Sequence, residues 1–182
     1  MEKLKTPEEY GYVQHGNIVL FQKGPLSQWY GGFSGQSGGF HPMLDKNRMS
    51  TDLLCNCAEQ WMMLAKAAIF NDEDTYNLIR DATNPKDQKD LGRLIKNYDE
   101  TLWSKHKYTV VVSGNTWKFK QNPHLKEFIT QFPRNTIFAE AAPWDRVWGI
   151  GLGPEDPRAL DPKQWNGENL LGKALSKVRK LL

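Results

Sequence analysis

The chain has 182 residues, 39% hydrophobic and 12% aromatic, with seven tryptophans and a formal net charge of +3. That length suits one domain with its own core better than two small ones. The mildly basic balance lacks the footprint of a dedicated nucleic-acid binder, yet permits a phosphate-bearing ligand.

No apolar run is long enough to span a membrane and the N-terminus is charged rather than signal-like. Cys55 and Cys57 stand one residue apart, a spacing that would strain a disulfide, and both read as reduced structural thiols, which suits a cytoplasmic protein. His15, His41, His106 and His124 are scattered singly. No zinc spacing appears, so neither a metal nor another cofactor is expected.

Residues 1–16 are polar and read as a loosely attached segment preceding a domain over 17–182. Asn17 to Lys23 reads as a short strand. Residues 29–40 mix five glycines with four aromatics, which favours a loop whose backbone can approach a ligand closely. A helix is expected from about Asp52 to Phe70, with Glu59, Met62, Met63 and Lys66 sharing one face. A second helix follows Asp72 or Asp74 as cap, and a third starts at Asn84 with Pro85 in its first position. Tyr108 to Val112 is ambiguous: the β-branched run favours a strand, whereas the spacing of Trp103, Tyr108, Val112 and Trp117 allows a long helix. Asn122-Pro123 starts another helix reaching about Gln131. Thr136 to Glu140 reads as a buried strand. The chain ends in an amphipathic helix with Leu171, Leu175, Val178 and Leu182 on one side. Its Lys173, Lys177, Arg179 and Lys180 read as a solvated face.

Three segments carry candidate chemistry. In residues 57–67, Glu59 and Lys66 lie two turns apart, roughly 10 Å along the axis, so both could reach one ligand lying along the helix. In residues 138–151, a strand feeding a turn presents Glu140, Asp145 and Trp148. The run Gly149, Gly151, Gly153 is no dinucleotide fingerprint, because the spacing is wrong and Pro154 follows at once. In residues 165–172, Asn166 or Asn169 caps a helix whose free N–H groups could hold phosphate.

Taken in order, these pieces resemble the NADAR (YbiA-like) family. The resemblance runs through Glu59-Gln60-Trp61, Lys66-Ala67, Pro85, Lys89 and Leu91-Gly92-Arg93. It continues through Trp103, Lys118-Phe119, Gln121-Asn122, Glu140-Ala141 and Asp145-Arg146. It ends with Trp148-Gly149-Ile150-Gly151, Trp165, Asn169-Leu170-Leu171-Gly172 and Val178-Arg179. It implies a compact, mainly α (α+β) single domain with a few short strands and a helix through residues 99–120. It also implies N-glycosidase activity, in some members on phosphorylated riboflavin-pathway intermediates and in others on ADP-ribose attached to guanine in DNA. The family's motif glutamate maps onto Glu59, and its Asp and Trp map onto Asp145 and Trp148. The segment Phe33-Ser34-Gly35 and the insertion at Glu155–Lys163 depart from the family pattern.

Breaking a bond from ribose C1′ to nitrogen passes through an oxocarbenium-like state, which needs a carboxylate beside the anomeric carbon. Glu59 is assigned that role, with Asp145 as support or second acid/base. Lys66 and Arg93 are expected on phosphate or pyrophosphate, and Trp148 and Trp61 on the base. Phe33, Ser34, Glu140 and Asn169 are further expected substrate contacts. The expected partner is ADP-ribosylated DNA or a ribosylated nucleotide, met by a monomer away from any membrane. A reader that binds ADP-ribose without chemistry is the rival class, since Lys, Arg and Trp would serve it equally.

Overall fold

A computed structural model describes residues 7, 9–32, 39 and 53–182. Their architecture is α+β, with six α-helices and three strands among the described residues. No helix among them is long and apolar enough to cross a membrane. The chain divides into two compact units. One holds the residues up to Ser27 together with Glu127–Leu182, and the other holds Gln28–Lys126.

The first unit is built on a three-stranded sheet of order β1-β2-β3. Strands β1 (Tyr12–His15) and β2 (Ile18–Phe21) form a hairpin through Gly16, whose φ of +58° suits glycine. Strand β3 (Ile137–Glu140) runs parallel to β2, with Ile18 opposite Ile137 and Phe21 opposite Glu140. All four β2 residues are buried, as expected for a central strand. Strand β1 lies in the segment expected to be loosely attached. It is held by pairing with β2 and by Tyr12, whose ring meets Phe128 and Phe132 edge-on at 5.8 and 5.4 Å. Ile18, Leu20, Ala139, Ala141, Ile150, Leu152 and Ala159 pack into one core cluster. The last helix, labelled α6 (Leu170–Leu181), lies against β3 through its buried Leu171, Ala174, Leu175 and Val178 face. The insertion at 155–163 contributes two short 3-10 turns, Pro157–Leu160 and Pro162–Gln164.

The second unit is helical. α1 (Ala58–Ile69) contacts α2 (Glu73–Asp81), α3 (Pro85–Arg93) and α4 (Glu100–Gln121), so it is buried round most of its circumference. It starts at Ala58, several residues later than expected. Cys57 is extended (φ −156°), and Gln60 turns back to accept the Asn56 N–H at 2.8 Å. The expected caps of α2 and α3 are present: Asp72 accepts from the Thr75 N–H and Asn84 from the Asp87 N–H. α4 settles the ambiguous segment as helix. Tertiary packing overrides the β-branched run there: Trp61 lies against Gly114, and its indole donates to the Val110 carbonyl at 2.9 Å. α5 (Pro123–Thr130) follows Asn122 across the boundary between the units.

Candidate active site

Glu59 sits in the first turn of α1 and is 4% exposed. Its main-chain N–H donates to the Gln28 carbonyl at 3.0 Å. Gln28 is pinned in turn: its Oε1 accepts from Asn115 Nδ2 at 2.7 Å, and that amide also donates to the Val111 carbonyl. All three side chains are buried.

One helical turn beyond Asn115 on α4 stands Lys118, which is fully buried. Its ammonium lies 5.6 Å from the Tyr30 ring centre and 5.3 Å from that of Phe119. Desolvation pushes this lysine down to about 7, partly opposed by Cys57. Cys57 feels both Glu59 and Lys118, and burial pushes its thiol up to about 12. It donates to Gln88 Oε1 at 3.2 Å. Burial likewise raises Cys55, so both cysteines are neutral free thiols near pH 7. An α4 lysine titrating near neutrality can hold or release a proton, and the sequence reading missed it. The pair Lys118-Phe119 is one of the family-like pieces, but its burial comes from packing that spacing does not reveal.

The other residues expected in this unit each meet partners within the fold. Lys66 Nζ donates to the Gly92 carbonyl at 2.8 Å and lies 4.4 Å from the Tyr98 ring centre. Desolvation lowers its pKa, opposed by Glu100 and Glu59. Trp61 is buried and fastens α1 to α4. Arg93 is exposed and pairs with Asp90 at 2.8 Å. Gln60, between Glu59 and Trp61, donates to the carbonyls of Ile79, Arg80 and Ala82, ending α2. Phe33 and Ser34 lie outside the described residues.

The first unit gathers Glu140, Asp145, Trp148 and Asn169. Asp145 Oδ1 accepts three main-chain N–H bonds, from Val147 (2.9 Å), Trp148 (2.7 Å) and Gly149 (3.4 Å). The carboxylate therefore shapes the turn that carries the half-buried Trp148. Asn169 occupies the N-cap position of α6 in the left-handed region (φ 52°), yet its side chain does not cap the helix. Its amide instead donates to the Phe138 carbonyl at 2.8 Å and accepts from the Glu140 N–H at 3.3 Å. It thereby mimics a neighbouring strand and braces the end of β3 that carries Glu140.

The expected phosphate cradle at the start of α6 is not there. The N–H groups of Glu168, Asn169, Leu170 and Leu171 donate to the carbonyls of Arg146, Gly149, Val147 and Trp148. The two turns zip together and use up those donors. Among the described residues, no group of three or more His, Cys, Asp or Glu side chains could hold a metal ion.

The chain matches the NADAR domain family over residues 18–182. It is similar to N-glycosidase R617 of Acanthamoeba polyphaga mimivirus, 41% identical over 122 residues that span 67% of this chain and 71% of the viral protein. It is also similar to Protein irg-1 of Caenorhabditis elegans, 34% identical over 140 residues, 76% of this chain and 66% of the worm protein. Among solved structures, it resembles the NMR structure of the E. coli protein YbiA with a TM-score of 0.66. That likeness covers 93% of this chain and 87% of YbiA at 19% identity, and it is one of fold. These comparisons class the chain as a hydrolase of the glycosidase type. It belongs to the NADAR domain family.

Proposed function

We propose that the chain is an N-glycosidase that releases ADP-ribose from guanine bases in DNA. The observation that carries this reading is Glu59: a carboxylate buried in the first turn of α1, in a chain 41% identical to a named N-glycosidase. Water is the second substrate. As the bond from C1′ to the base nitrogen breaks, Glu59 stabilises the positive charge on the sugar and takes a proton from the attacking water. The water oxygen becomes the new substituent on C1′, and the leaving nitrogen needs a proton. Lys118, which burial makes a readier proton donor than an ordinary lysine, is assigned to supply it.

Trp148 offers a half-buried ring for stacking, in a turn that Asp145 fixes. Arg93 and Lys66 are assigned to pyrophosphate, and Glu140 and Asn169 to the sugar or base. Free buried thiols suit a reducing compartment such as the cytoplasm.

The test offers the protein ADP-ribosyl-guanine in a DNA oligonucleotide beside a phosphorylated riboflavin-pathway intermediate. Release of ADP-ribose from the oligonucleotide is expected. Turnover confined to the small phosphorylated intermediate overturns the substrate. Retention of the modified oligonucleotide without release overturns the enzyme reading in favour of a binding module.

A further inference from the structure

Helix α6 presents Lys173, Lys177 and Lys180 to solvent, opposite its buried apolar face. Spacings of four and three residues place them in one row about 10 Å long. The helix contains no acidic residue, and among the described residues no ion pair engages any of its cations. A fourth cation, Arg179, is fixed by donating to the carbonyls of Pro133 and Arg134 at 2.6 and 2.7 Å. Partial burial and the like charge of Arg134 hold its guanidinium below the usual value. Like charges gathered without counter-charges repel one another, and a bound polyanion relieves that repulsion.

We propose that this face of α6 docks the sugar-phosphate backbone of DNA. The proposal rests on the reading that the target guanine lies in DNA. A row of about 10 Å matches roughly three phosphates of one strand, at about 3.4 Å of rise each. Flexible point charges suit contacts that hold the backbone without reading sequence. An anionic membrane surface is the competing polyanion. A basic helix binding there inserts its apolar face, however, and the apolar face of α6 is buried against β3.

The test measures binding of an unmodified 20-base-pair duplex by fluorescence anisotropy from about 50 to 200 mM salt. The wild type is compared with K173Q/K177Q/K180Q. Each lost phosphate contact lowers the slope of log affinity against log salt by about one, so a drop of about three is expected. The variant's KM for ADP-ribosylated oligonucleotide should rise, while its turnover of free ADP-ribosyl-guanosine stays at the wild-type level. Equal slopes overturn the docking surface. So does a variant that loses binding to phosphatidylserine vesicles while keeping its DNA slope. If wild type hydrolyses neither substrate but the slope still falls by three, the enzymatic reading fails and the surface stands. Glutamine keeps helix propensity, and the single variants K177Q and K180Q carry the same test at a slope change of about one each.

Discussion

The main-chain N–H of Glu59 donates to the carbonyl of Gln28 at 3.0 Å, joining the first turn of α1 to the segment that precedes Trp29 and Tyr30. Asn115 holds the Gln28 side chain at 2.7 Å, so the residue carrying the candidate carboxylate is tied to α4 through one intermediary. Asn115→Leu deletes the amide and leaves a buried Gln28 oxygen without that donor. A loss of about 1–3 kcal/mol is expected by denaturant titration, the usual cost of an orphaned buried polar group. An unchanged midpoint would show that Gln28 repacks without Asn115.

Glu59→Gln keeps the side-chain shape and the bond from its N–H to Gln28. The variant should therefore fold like wild type and lose turnover by about 10²-fold or more, the range for a positioned acid/base. Single-turnover release of ADP-ribose measures it. Wild-type rates in this variant would remove Glu59 from the chemistry.

The parts legible in the sequence were those decided locally. Asp72 and Asn84 cap the helices that follow them because capping needs only a side chain and an N–H three residues on. Glu59 stood out through its motif neighbours. What was illegible depends on residues far apart. Local propensity left Thr109–Val112 open between strand and helix, and only the family resemblance implied the helix that packing on Trp61 stabilises. Lys118 is a surface residue by composition and buried only in the fold. Asn169 looked like a cap, but its positive φ turns the amide toward β3, 31 residues back.

Asp145 separates two roles that the sequence left open. Its Oδ1 accepts three N–H bonds, and asparagine retains that acceptor without the charge. Asp145→Asn should keep the turn and most of the activity, whereas Asp145→Ala should lose about 1–2 kcal/mol of stability, as for a lost cap, with turnover falling alongside. An Asn variant as inactive as the Glu59→Gln protein would make Asp145 a second acid/base.

Gly172 opens α6 where Asn169 braces β3. A Cβ there would lie 2.0 Å from the Phe138 carbonyl oxygen and 2.5 Å from the Asn169 amide nitrogen. Because the nearest obstacle is backbone, Gly172→Ala must push the helix from the sheet. About 3 kcal/mol of destabilisation is expected, at the upper end for overpacking. A melting temperature within a degree of wild type would show that the joint yields freely.

Lys118 predicts a pH dependence whose sign follows from its burial. In the unfolded chain the amine titrates near its ordinary 10.5, and in the fold desolvation brings it to about 7. Between pH 7 and 8 the unfolded chain thus holds most of one proton more at this group than the folded protein, and stability rises with pH. Below pH 7 the folded protein takes up the same proton and this rise ends. Cys55 and Cys57, whose thiols burial raises from the ordinary 9.0, act in the opposite sense once unfolded thiols begin to ionise, so the comparison stops at 8. Lys118→Met fills similar space without a titrating group. It should be more stable than wild type at pH 7, show a flatter stability profile up to pH 8, and lose turnover by about 10²-fold as the general acid disappears. Parallel profiles for the two proteins would mean that burial does not lower the Lys118 pKa, which leaves an ordinary ammonium too weak an acid for the assigned role.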